Sequence, residues 1–375
     1  MMFLSCRQEG KNMSFNEHML NFTVGPVMSD KKVLEVAGIS SPYFRTTEFS
    51  DIMIQNEQMM LENLNAPNDS KCVFLTTSGT GAMESVVMNV LNKSDKVLVI
   101  NGGGFGKRFL ELAQLHGLDT TEIKVEFGCQ IKSEQLEKFD NNGYTALLVN
   151  MHETSSGNLY DMDLIASFCI RNDILLIVDA ISSFIADELD MTALNAAVVL
   201  TGSQKALAVQ PGISIIAMNH AAIERVEKNP EKCMYLSLKE ALLNSKRGQT
   251  PFTPAVTTLL QINVRLKEIK NNGGIIEERK KIVNRATTFR EFISELPFEF
   301  VPENMSNAIT CLSPLTIKAT DIISIMKDEY NIWLCPNGGD LKEKVFRVGH
   351  IGNISDDDMK VLMNAFDDLN KRYIL

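Results

Sequence analysis

The chain is short of histidine and tryptophan: five histidines and one tryptophan in 375 residues. The histidines, at 18, 116, 152, 220 and 350, have no metal-ligand spacing. It lacks any C-x-x-C pair, and its seven cysteines, at 6, 72, 129, 169, 233, 311 and 335, are odd in number and scattered. That pattern argues against a disulfide framework and against a zinc site, and it places the chain in a reducing cytosol. There is no excess of positive charge. The formal net charge of −10 speaks against nucleic acid or an anionic membrane surface as partner, because both select a basic footprint. It fits an ordinary acidic soluble surface. No run reaches the ~20 apolar residues that a bilayer crossing needs. The opening Met1 to Cys6 is too short and too weakly apolar for a secretory signal. Residues 1–20 therefore read as a loose arm, with Met13 a candidate true start. Internal repeats and low-complexity tracts are also missing.

What is present is apolar material in quantity. Hydrophobic residues make up 45% of the chain and charged residues 22%, which fits a large buried core and two or three folding units. Short apolar runs recur at 71–76, 96–100, 146–150, 174–178, 197–200 and 213–217, with helical spacing between some of them. Met83, Val86, Val87 and Val90, for example, share one side of a helix over 82–91. Continuous apolar strands separated by helices predict a parallel sheet covered on both faces, with ligands off the strands' carboxyl ends. After about residue 255 the texture changes. One long helix over 257–270 is followed by strand-like runs at 307–312, 332–335 and 345–348. A last helix is capped by Ser355, with Asp356 to Asp358 at its positive end. The expected division is an arm (1–20), a large α/β domain (21–255) and a smaller α+β domain (256–375).

Four features fall at predicted strand ends. Thr77-Ser78-Gly79-Thr80-Gly81 opens a helix and offers backbone N–H groups to an anion. Asp179 ends the run Ile174–Val178, where an acid needs a partner. Lys205 follows Gly202-Ser203-Gln204 and precedes an apolar run, a setting that lowers an amine's pKa and makes it nucleophilic. Phe105, held among Gly103, Gly104 and Gly106, is free to lie flat on a planar ring. Each admits a plainer reading: a tight turn, a helix cap, a surface lysine, a locally packed aromatic. Together they are the parts a pyridoxal phosphate (PLP) enzyme needs, with the lysine for an imine and the acid for the pyridinium proton.

The chain resembles the class V aminotransferases of PLP fold type I, nearest the alanine/serine–glyoxylate (or pyruvate) aminotransferases and 2-aminoethylphosphonate–pyruvate transaminase. The resemblance runs from about Phe22 to the C-terminus. It is carried by Val24-Gly25-Pro26, the phosphate loop through Glu84, Asn101 through Arg108 and His152-Glu153-Thr154-Ser155-Ser156-Gly157. Val178-Asp179, Gly202 through Lys205, Phe252-Thr253-Pro254 and Phe346 through His350 complete it. It implies a mostly parallel seven-stranded sheet between helices and a smaller C-terminal α+β domain. The implied roles are Ser78, Gly79 and Thr80 on the cofactor phosphate; Phe105 stacked on the ring and Ile181 beneath it; and Thr154 on the ring hydroxyl. Asp179 would pair with the ring nitrogen, Gln204 would touch the phosphate, and Lys205 would carry the cofactor as a Schiff base. Arg347, with Gly25 beside it, would take the substrate carboxylate. The resemblance further implies a homodimer with shared sites, in which Thr253 reaches the phosphate of the other subunit. The partners are then a small amino donor (alanine, serine or 2-aminoethylphosphonate type) and a keto acid, pyruvate or glyoxylate, used in ping-pong order. Neither membrane nor nucleic acid is expected.

Two departures stand out. Thr250 stands near a position where some relatives carry tyrosine, and Phe44-Arg45 replaces a His-Arg pair, which opens a role for Arg45 in substrate choice. Two rival readings are a cysteine desulfurase or β-lyase on the same fold and a non-catalytic PLP-binding protein. The lyase would need an exposed reactive cysteine and a histidine before the lysine, whereas Gln204 stands there and Cys311 and Cys335 lie in strand-like runs.

Overall fold

A computed structural model describes residues 19–372 and 374–375; most of the expected arm lies outside the described residues. The large sheet has seven strands. Their spatial order is Lys71–Leu75, Ser214–Met218, Ala196–Gly202, Leu175–Asp179, Ala146–Asn150, Lys96–Asn101 and Asp119–Lys124. Ser214–Met218 runs antiparallel to both of its neighbours, and the other six strands point the same way. The sheet is therefore mostly parallel, not wholly parallel as the apolar runs alone suggest. Composition cannot report direction: a central strand buried on both faces is apolar in either sense. Asp119–Lys124 left no apolar run to find, because it is an edge strand with one buried residue, Ile123.

Apolar helices cover the sheet on both faces. The stripe Met83, Val86, Val87 and Val90 of helix Gly79–Val90 is fully buried against Val73, Val99 and Leu200. Burial of this kind contributes roughly 1.5–3 kcal/mol for each large apolar side chain. On the other face Leu98, Leu147, Val178 and Phe168 lie in a second cluster that also takes in Leu259, Ile262 and Leu266.

The small sheet has five strands in the order Leu20–Phe22, Ile332–Pro336, Phe346–Gly349, Ile309–Pro314 and Phe298–Phe300. Its first strand comes from the chain's beginning and pairs in parallel with Ile332–Pro336. Phe289, Phe298, Phe346 and Phe366 fill its core with tilted and edge-on ring contacts. Helix Val256–Asn271 packs on helices Lys31–Ala37 and Thr47–Asn63. Segments from both ends of the chain thus meet across the division at residue 255, which we keep as a proposal about folding units. No helix among the described residues is long and apolar enough to cross a membrane.

Candidate active site

Ser78, Phe105, Thr154, Asp179 and Lys205 all lie at or just beyond the carboxyl ends of parallel strands of the large sheet. Asp179 is the last residue of its strand and is 5% exposed. One carboxylate oxygen accepts from the Ile181 N–H at 2.8 Å. Burial pushes its pKa up to about 7, the Glu153 charge adds to the rise, and Lys205 and Arg108 oppose it. Lys205 lies in the turn after strand Ala196–Gly202, half-buried, with Nζ donating to the Val24 carbonyl at 2.7 Å. Burial lowers its pKa to about 8, and Arg347 pushes the same way. Gly25 packs against this amine. It has φ +120°, and a Cβ there would meet Lys205 Cδ at 2.7 Å and the Gln204 carbonyl at 2.9 Å. The Gln204 carbonyl also accepts from the Val27 N–H at 3.3 Å.

The segment 77–81 opens helix Gly79–Val90 as expected. Ser78 caps helix Gly79–Val90, its hydroxyl accepting from the Gly81 N–H at 3.4 Å. A Cβ on Gly79 would fall 2.2 Å from Ile181 Cδ1, so that glycine admits the Ile181 side chain. Thr80 accepts from Arg108 Nη1 at 3.1 Å, and the Arg108 guanidinium lies over the Phe105 ring, 4.9 Å from its centroid.

Arg347 projects from strand Phe346–Gly349 of the small sheet and is 9% exposed. Nη1 donates to the Thr154 carbonyl at 3.0 Å, Nη2 donates to the Pro336 carbonyl, and Nε is buried with no partner. No carboxylate among the described residues pairs with it. Thr154 itself shares a 2.7 Å hydrogen bond with Ser182. Thr253 stands apart from this group. It is exposed, in a turn where Phe252 stacks on Tyr235 with centroids 5.6 Å apart and Tyr235 donates to the Thr76 carbonyl.

Arg45 is half-buried. Its guanidinium donates to Gln249 Oε1 and to the carbonyls of Thr250 and Pro251, so it anchors the turn that carries Thr253. Cys311 is fully buried, and burial pushes its thiol up to about 12, which suits packing rather than attack. Three site residues were given no role from sequence. His152 is buried, and burial together with the charges of Lys205 and Arg347 holds its pKa down to about 3, so the imidazole is neutral. Asn337 donates to the Ser155 carbonyl at 2.9 Å. Glu153 is fully buried. The run His152 to Gly157 was visible as a motif, but only the fold shows which residues its members meet.

The donor set fits a phosphorylated aldehyde with a pyridine ring. There is an amine of reduced basicity, a buried acid at the end of the neighbouring strand, a helix start with a hydroxyl cap, and an orphaned guanidinium N–H. The fold is that of the PLP type I aminotransferases. It superposes on an aspartate aminotransferase from Thermus thermophilus with a TM-score of 0.87 at 26% identity, covering 94% of this chain and 99% of that one. The chain belongs to the class V aminotransferases, whose family model matches residues 32–336; it is a PLP-dependent aminotransferase. It is 32% identical to the soluble hydrogenase 42 kDa subunit of Anabaena cylindrica, over 84% of this chain and 83% of that protein. It is 26% identical to 2-aminoethylphosphonate–pyruvate transaminase of Klebsiella pneumoniae, over 94% of this chain and 98% of the relative.

Proposed function

We propose that the enzyme moves an amino group from a small donor of the alanine, serine or 2-aminoethylphosphonate type to pyruvate or glyoxylate, with donor and acceptor using one site in turn. The observation that carries this reading is Arg347: a buried guanidinium with an unused Nε–H and no carboxylate partner among the described residues, close enough to Lys205 to lower its pKa. Both substrates of an amino acid transamination bring a carboxylate, and a planar fork of donors suits one.

When bound, pyridoxal phosphate supplies the electron-withdrawing ring that lets the substrate's Cα–H bond break as a proton. Lys205 would hold the cofactor, and its amine, when free, would take and return that proton at Nζ, serving as both anchor and base. Asp179 keeps the ring-nitrogen proton in place. Phe105 and Ile181 would confine the ring, Thr154 would bond its hydroxyl, and Ser78, Gly79, Thr80 and Gln204 would hold the phosphate. Thr253 serves the phosphate of a second copy. Gly25 leaves room beside Lys205 for the donor.

The test is chemical. Borohydride reduction and peptide mapping should place the cofactor on Lys205, and Lys205→Ala should abolish turnover while folding normally. A label on another lysine would sink the assignment. A donor screen against pyruvate and glyoxylate, read by the shift of the visible absorbance band, separates a transaminase from a binder whose band never moves. A desulfurase is disfavoured by Gln204 preceding Lys205 and by the burial of Cys311.

A further inference from the structure

Glu153 is a fully buried acid whose carboxylate meets no lysine or arginine at ion-pair distance among the described residues. Five donor groups surround it instead. Oε2 accepts from the backbone N–H of Phe105 and of Gly106, both at 3.1 Å, and from Asn150 Nδ2 at 3.0 Å. Oε1 accepts from the Ser155 N–H at 3.1 Å and from the Ser155 hydroxyl at 2.5 Å. Helix Gly104–Leu115 begins at Gly103, which has no side chain to cap it. Glu153 does that work from another part of the chain, and the positive end of the helix compensates its charge. The approach is close: a Cβ on Gly103 would lie 2.6 Å from Glu153 Cδ and 2.4 Å from Ser155 Oγ.

The first turn held in this way contains Phe105. Arg108 follows one turn later, over the Phe105 ring and donating to Thr80 at 3.1 Å. We propose that Glu153 is a positioning residue of the cofactor site, its carboxylate clamping the helix start so that the Phe105 ring and, through Arg108, the phosphate loop are set for the cofactor. A buried acid fixed by five donors cannot shift without exposing them, so the turn it holds is rigid. Its charge also raises the proton affinity of Asp179. The inference rests on reading the Lys205 pocket as the PLP site.

The test compares wild type, Glu153→Gln and Ser155→Ala as apoenzymes titrated with PLP. It reads the dissociation constant, the induced circular dichroism of the visible band and the thermal midpoint of the apo form. Glu153→Gln turns an amide N–H toward donors and should weaken PLP binding on the order of tenfold, the scale of losing one charged hydrogen bond. The induced band should shrink, because it reports how the ring is held, and kcat should fall more than KM rises. A lowered apo midpoint with unchanged PLP affinity and unchanged induced band would overturn the proposal, since a merely structural acid does only that. If Glu153→Gln does not fold, Ser155→Ala decides on the same readouts: a smaller shift in the same direction supports positioning, and no shift overturns it. Borohydride labelling of Lys205 in the wild type keeps the two ideas apart. A wild type that fails to label defeats the PLP reading, whereas labelling with unmoved variants defeats only the role of Glu153.

Discussion

At Arg347 the fold leaves a positive charge in a poorly hydrated place with two backbone carbonyls and, among the described residues, no acid paired with it. An ion removed from water without a counter-ion is unfavourable, and a bound carboxylate relieves that. Arg347→Lys keeps the charge but loses the fork, so KM for the keto acid should rise about ten- to a hundredfold with a smaller change in kcat. An unchanged KM would make Arg347 only a strut between Thr154 and Pro336. Asp179 is the complementary case. Asp179→Asn should still bind PLP but lose about a hundredfold or more in kcat, the usual scale for removing a preorganised charge; a near-normal rate would make the acid structural. The same residue sets a pH signature in the apoenzyme. Its folded pKa is raised to about 7, so the folded state binds the proton more tightly than the unfolded one. The stabilisation is full below about pH 4 and is lost as pH rises through 7. The asparagine variant cannot ionise, so its apo thermal midpoint should gain on wild type as pH climbs across that window.

Among the elements, the last helix is the clearest case of sequence specifying structure. Ser355 caps Asp356–Lys371, its hydroxyl accepting from the Asp358 N–H at 3.1 Å while Asp358 reaches back to the Ser355 N–H at 2.8 Å. Ser355→Ala should cost about 1 kcal/mol, seen as faster amide exchange through the first turns of that helix. Unchanged exchange would mean packing of Phe366 and Leu362 alone holds it. The helix starting at Gly104 is the opposite case. Its own N-terminus is glycine, its cap comes from Glu153 far along the chain, and no local pattern announces that. Arg45 teaches the same lesson. The sequence opens a role for Arg45 in substrate choice, and only the fold shows that three acceptors in the turn from Gln249 to Pro251 hold its guanidinium.

For the whole molecule we expect a homodimer with shared sites. The turn bearing Thr253 is presented outward, beside the exposed Tyr235 and Met234. Cofactor contacts from two copies link PLP binding to association by mass action. Thr253→Ala should weaken PLP binding and, through it, dimerisation, with Lys205 labelling preserved once the cofactor is saturating. Sedimentation at several concentrations, with and without PLP, reads both. A fully active monomer would defeat the shared-site model.

Sequence by itself determined the elements whose causes are local: apolar runs that bury on both faces, the helix stripe from Met83 to Val90, the cap at Ser355. It also placed Asp179 and Lys205 at strand ends, because a strand's end is where its apolar run stops. Only the tertiary structure decided the direction of Ser214–Met218, since burial on two faces has no sign. It alone joined the chain's first described strand to the small sheet, and it alone gave Glu153 and Asn337 their partners. The strand pairing joins Leu20 to Ile332, Asn337 meets Ser155 across 182 residues and Glu153 meets Gly106 across 47, and contacts at such separations leave no periodicity to read.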